Sequence, residues 1–327
     1  VLKETKILAS AEFTLELARS VIRVVLYFDI FKYPLRADEI YRACPIPTEP
    51  RTVNTALRHL VSQGMLEEQD GFFRRTGSEA DITRRLKGNA LAAQKMVQAR
   101  RSARSIGRFP FVEAVMVSGS LSKHYMDPGS DIDFFIVTRP GRLWVARTML
   151  VLYKKLFLLN SHKHFCVNYF VDTDHLEIED KNLFTATEVV FLLPMLNAPV
   201  YHDFRHHNAW ADAHYPNFGL LDTSECMPSK SGWFKGAGEW LLGGRLGEWA
   251  DGCCLRLTLR RWQQKFTGLD AARFEVAMRS RRYVSKHHPS DFQSIVLGRL
   301  AEKQRAFEQA HGICLGLEMP QGKEATA

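Results

Sequence analysis

The segment VMVSGSLSKHYMDPGSDIDFFIV, Val115 to Val137, joins buried-strand signals, a small-residue turn and two closely spaced carboxylates. Ala114 to Val117 is a short apolar, β-branched run that predicts a buried strand, and Ser118-Gly119-Ser120 breaks it at once. Small residues after such a strand let backbone N–H groups come close to a phosphate, and a serine hydroxyl adds a donor. Asp127-Pro128-Gly129-Ser130 predicts a turn, and Asp131 to Val137 a second strand. Side chains two apart on a strand share a face, so Asp131 and Asp133 are expected to project together, with Ile132 and Phe134 opposite. Two such carboxylates repel unless they share a cation. Mg²⁺ (or Mn²⁺) suits them, since Mg²⁺ takes oxygen ligands at about 2.0–2.1 Å and is commonly completed by substrate phosphates. Ser130 and the glycine-serine turn would then hold a triphosphate where that metal bridges it.

The glycine-serine pair, the intervening loop and the Asp-x-Asp strand, GSLSKHYMDPGSDIDFFIV, resemble the nucleotidyltransferases of the DNA polymerase beta-like superfamily. The resemblance implies a small mixed sheet with flanking helices, a bound nucleoside triphosphate, and transfer of a nucleotidyl group to an acceptor with release of pyrophosphate. On that footing Asp131 and Asp133 are the expected metal ligands, and Gly119, Ser120, Lys123 and Ser130 the expected triphosphate contacts. The superfamily usually adds a third carboxylate from a later strand. In the obvious one, His164 to Val171, alternation puts Cys166, Asn168 and Phe170 on one face, so Asn168 occupies the expected position. Either Asn168 is a neutral ligand, or Asp172 or Asp174 does the work, or catalysis is weak or absent.

The surrounding chain of 327 residues has room for two or three domains, and its 46% hydrophobic content is that of a soluble globular protein. Its +8 formal charge favours a polyanionic partner. The best candidate for a membrane span, Leu143 to Leu159, is interrupted by Arg147, Lys154 and Lys155, and the first residues show no charged-then-apolar leader pattern. No membrane association and a cytoplasmic location are expected. The six cysteines are scattered without a Cys-x-x-Cys, which favours reduced buried thiols over zinc or disulfides.

Residues 1–78 follow the order of a winged-helix domain. Phe13 to Phe28, Arg36 to Cys44 and Arg51 to Gln63 predict three helices, and Met65 to Arg75 a hairpin about Asp70-Gly71. The third helix turns Val53, Leu57, Leu60 and Val61 inward. Arg51, Arg58, Arg74 and Arg75 are its candidate nucleic-acid contacts, although Glu67, Glu68 and Asp70 favour protein docking instead. The basic segment 84–108 predicts a long helix with a buried stripe of Leu86, Ala90, Ala93, Met96, Val97 and Ile106. Its outer face is either solvated surface or a path for RNA.

The expected fold is α+β: a winged helix (1–78), a mixed-sheet nucleotidyltransferase core (79–182) and a helical C-terminal region (183–327). In the last, Thr185 to Leu193, Trp233 to Arg261, Leu269 to Val284 and Asp291 to Ala310 read as helices. The neighbouring histidine pairs, among them His287 with His288, read as solvated. The alternative to an enzyme is a regulator that binds nucleotide or nucleic acid without turnover.

Overall fold

Thr14 starts the first helix by accepting a hydrogen bond from the Leu17 amide at 3.1 Å, and α1 runs Leu15–Asp29. The computed structural model describes residues 13–157, 165–229, 231–268, 270–288 and 290–316. They form a mixed α and β protein with a three-stranded and a six-stranded sheet.

After α1 come β1 (Leu35–Arg36), α2 (Ala37–Ala43), α3 (Pro50–Ser62), β2 (Leu66–Gln69) and β3 (Phe72–Arg75). Pro50 sits in the first turn of α3, where a missing N–H costs nothing, and Val53, Ala56, Leu57 and Leu60 are buried. The β2–β3 hairpin turns on Asp70 (φ 54°) and Gly71 (φ 75°), both left-handed, as a two-residue turn that follows strand twist requires. Three helices and a hairpin are thus present over residues 13–75 in the expected order, with the short β1 added to the hairpin; residues 1–12 lie outside the described residues.

The long helix α4 (Ile82–Ile106) forms where the basic segment predicts it, but another face is buried. Gly88, Ala92, Ala99, Ala103 and Ile106 face inward, whereas Leu86, Ala90, Ala93 and Val97 are exposed. Close approach decides this: a Cβ on Gly88 would lie 2.1 Å from the Tyr125 ring. At Gly88 the absence of a side chain admits the Tyr125 ring, while Ile106 of the expected stripe is buried and Leu86 and Val97 are left outside.

The large sheet contains β4 (Val112–Ser118), β5 (Asp133–Thr138), β6 (Cys166–Asp172), β7 (Leu193–Leu196), β8 (Ser280–Arg281) and β9 (Val284–Lys286), in the order β7-β4-β5-β6-β9-β8. β5 and β6 are parallel, and the other pairs are antiparallel. Helix α6 (Leu143–Phe157) makes the crossover between β5 and β6. One face of the sheet, including Val115, Val117, Phe134 and Ile136, packs with Leu143, Trp144 and Leu150 of α6. The other, with Ala114, Met116, Phe135 and Val137, belongs to one core with α1, α3 and the C-terminal helices. Of the sequence range His164 to Val171, His164 lies outside the described residues.

The region after residue 183 is not purely helical. Helices α7 (Leu183–Val190), α8 (Ala198–His207), α9 (Trp233–Leu242), α10 (Arg245–Lys265), α11 (Ala271–Ala277) and α12 (Phe292–His311) alternate with β7, β8 and β9, which complete the sheet of the preceding core. The expected helix from Thr185 ends early, at Val190, and Pro194 lies in the edge strand β7, a position that tolerates a missing N–H. The stretch from Leu269 to Val284 is not one helix: α11 ends at Ala277 and a tight hairpin follows. Glycines 243 and 244 divide the long helix expected from Trp233.

Buried Asp251 on α10 caps α6, accepting from the amides of Trp144 at 2.8 Å and Val145 at 3.0 Å. Asp251→Ala is expected to lower unfolding free energy by about 1–2 kcal/mol in urea titration, with Asp251→Asn retaining most of it.

Candidate functional site

The antiparallel register of β4 and β5 sets Ser118 directly across from Asp133. The chain then turns through Gly119 (φ 67°) into the short helix α5 (Gly119–Ser122). A Cβ on Gly119 would lie 2.7 Å from Asp133 Oδ2, so this carboxylate rests against the one residue type that leaves room for it. The strand begins at Asp133, and Asp131 precedes it outside regular structure, so period-two alternation does not place Asp131. The two acids are nevertheless electrostatically coupled: burial pushes the Asp133 carboxyl up to about 7, and the charges of Asp131 and Glu188 add to the shift. The Cys166 thiol and the Lys123 ammonium oppose it.

Asn168 reaches the same spot through a bulge. Asp133 pairs with Cys166 and Phe134 with Val167, but Phe135 pairs with Tyr169, which leaves Asn168 as the additional residue. The alternation reverses there, so Phe170 packs with Phe165 and Val167 instead of sharing a face with Asn168. Burial pushes the Cys166 thiol up to about 12. The thiol donates to Asn168 Oδ1 at 3.1 Å, and Asn168 Nδ2 donates to Asp133 Oδ1 at 2.7 Å. The amide therefore presents its N–H to the carboxylate and its oxygen to the thiol. Asp172 and Asp174 lie elsewhere: Asp172 pairs with Thr138 at the far end of β5 and bonds His175 at 2.7 Å.

Gly119, Asp133 and Asn168 line a cavity of about 320 Å³ walled by Phe135 and Tyr169 of the sheet, by α7 and by the start of α12. The Phe135 and Tyr169 rings stack at 5.0 Å. Ser120 and Lys123 instead line an adjoining cavity of about 410 Å³, bounded by Tyr27, Phe31 and Tyr33 of the N-terminal elements. Ser130 lies in the turn that follows Asp127 and is among the lining residues of neither cavity.

Several lining residues escaped the sequence reading. Glu188, on α7, lines both cavities and holds Lys123 Nζ at 2.8 Å, while the same ammonium donates to Gly119 O at 3.1 Å. The available signal was a single acid inside the otherwise uncharged helical sequence LFTATEVV. Asp180 receives Arg279 and Lys286, each at 2.9 Å. His287 and His288 are not solvated: burial pushes their pKa values down to about 3 and about 4, so both are neutral near pH 7.

Many of the expected nucleic-acid contacts serve the fold. Arg74 bonds Glu67 at 3.1 Å and Ala80 O at 2.7 Å, and Arg75 bonds Thr76 O at 2.9 Å. Arg84 pairs with Asp127, Arg85 with Glu39, and Arg100 with Glu225. Arg51, Arg58, Lys87, Arg101, Arg104 and Arg108 remain exposed. Cys44, Cys166, Cys226, Cys253 and Cys254 are free thiols, and of these Cys44 and Cys166 are buried. Among the described residues no group of three or more His, Cys, Asp or Glu side chains gathers as a metal site, and no helix is long and apolar enough to cross a membrane.

Because the folded carboxyl of Asp133 titrates near 7 and an unfolded one near 3.8, the native state binds more protons between those values. Its contribution is therefore full below pH 4 and is lost as pH rises to 7. In metal-free buffer, Asp133→Asn should gain on the parent protein across that window, by up to about 4 kcal/mol, and then level off. Urea titration at several pH values checks this.

No protein-family model matches this chain, and neither a curated protein nor a solved structure does.

Proposed function

We propose that the protein is a metal-dependent nucleotidyltransferase that moves a nucleoside monophosphate from a nucleoside triphosphate to an acceptor, releasing pyrophosphate. The observation that carries the reading is the Asp133 carboxylate seated on the left-handed Gly119 turn at the edge of a cavity, its pKa raised by burial and by Asp131. A carboxylate held this way has lost hydration that a hard cation or a proton can replace. Asp131 and Asp133 fit Mg²⁺ or Mn²⁺ as a two-acid set to be completed by water and phosphate oxygens. Such a cation would neutralise charge developing on the transferred and departing phosphates.

The chain's own residues supply position. Asn168 fixes the Asp133 carboxylate by its 2.7 Å hydrogen bond. Gly119 and Ser120 offer a turn open to phosphate, with Lys123 against the turn to contact its oxygens; Ser130 would have to approach from the turn after Asp127. Residues 13–75 carry the helix and hairpin order of a winged helix, with Arg51 and Arg58 exposed on α3 to meet nucleic acid or an acidic protein surface. The setting is cytoplasmic.

A second reading, a regulator with weak or no turnover, rests on Asn168, which brings no charge and cannot accept a proton where a third acid is expected. Purified protein with Mg²⁺ or Mn²⁺, labelled triphosphates and cell extract should release pyrophosphate, with Asp131→Ala and Asp133→Asn lowering the rate at least ~1,000-fold. Salt-steep duplex or RNA binding without pyrophosphate release, unchanged in Asp131→Ala, would favour the regulator.

A further inference from the structure

The acids that line the cavity beside Asp133 are Asp180, Glu188 and Asp291. Asp180 is neutralised by two cations, Arg279 and Lys286. Asp291 begins α12 and accepts from Ser294 Oγ at 3.0 Å. Glu188 pairs with Lys123 and lines both cavities, whereas Asp127 lines the second alone. The Glu188 side chain is 30% exposed.

Lys123 stands between this acid and the glycine turn, in contact with both. A triphosphate on the turn offers the ammonium a stronger acceptor than Glu188, a singly charged carboxylate. On the footing of the nucleotidyl-transfer reading, we infer that Glu188 is the base that takes the proton of the attacking acceptor hydroxyl, and that Lys123 masks it until triphosphate draws the lysine away. In that step the acceptor O–H proton passes to the Glu188 carboxylate and the acceptor oxygen bonds to the α-phosphorus. The bond from the α-phosphorus to the bridging oxygen breaks, and pyrophosphate leaves with the electron pair. Glu188 thus supplies, from a helix, the acid that Asn168 does not supply from the strand, and the enzyme is protected from acting as a base on water before substrate arrives.

The test uses inorganic tripolyphosphate with Mn²⁺ as a base-independent binding probe in titration calorimetry, alongside pyrophosphate release from labelled triphosphates. Glu188→Gln is expected to bind tripolyphosphate at least threefold more tightly, since Lys123 leaves no partner, while turnover falls about 100-fold or more and Glu188→Asp recovers part of it. A residue of purely structural importance would lose binding and turnover together. Lys123→Met, which leaves Glu188 in place, should raise the KM for triphosphate at least tenfold with kcat within tenfold of the parent. Turnover of Glu188→Gln within threefold of the parent, or a Lys123→Met loss confined to kcat, overturns the inference while leaving the transferase reading intact. If the parent protein neither binds tripolyphosphate nor releases pyrophosphate, the transferase reading fails, and the role of Glu188 with it.

Discussion

Everything at the site depends on the antiparallel pairing that sets Ser118 opposite Asp133. Both faces of the sheet are buried, one against α6 and the other in the core shared with the N-terminal helices. A slip of one residue would drive Asp133 into the α6 side and bring Phe134 out to the cavity, so packing on both faces holds the register. The carboxylate is then fixed where water is scarce, with an amide donor on one oxygen and a glycine against the other. Charging this carboxyl therefore carries a desolvation cost, which favours the protonated form.

The sequence was most informative where local chemistry and long-range packing agree. The run from Val115 to Val137 announces strand, turn and strand because its apolar residues face two cores and its small residues fall at the bend. The Asp70-Gly71 hairpin and the proline start of α3 are equally local. What stayed hidden was decided by partners far away in the chain. Strands β8 and β9, two and three residues long, have too little pattern to identify and exist because β6 offers an edge. Helix α4 turns Gly88 inward because the Tyr125 ring comes close, a contact that hydropathy cannot foresee. The bulge at Asn168 cannot be read from alternation, since it is the place where alternation stops.

Charge tells a similar story. The excess of basic residues suggested a surface for polyanions, yet several of the arginines hold the N-terminal elements to the core. Arg85 lies over the Tyr33 ring at 3.6 Å and pairs with Glu39 at 2.6 Å, while Arg84 joins Asp127 to the carbonyl of Phe31. Lys303 of α12 reaches Asp29 at the end of α1 at 2.6 Å. Charges recruited in this way are partly desolvated and geometrically fixed, so they contribute less to a diffuse field than their number implies.

These ties give the N-terminal elements a place in the site's geometry. Tyr27, Phe31 and Tyr33 form one wall of the cavity whose other wall carries Ser120 and Lys123, and Tyr33 donates to the Lys123 carbonyl at 3.2 Å. A partner that shifted α1 or the loop after it would therefore move the backbone of the residue that touches both the Gly119 turn and Glu188. Because α1 belongs to the same continuous core as Phe135 and Val137, such a shift cannot be absorbed within the N-terminal elements alone. The N-terminal elements and the turn after β4 thus share a packed wall, and Lys123 stands at their junction.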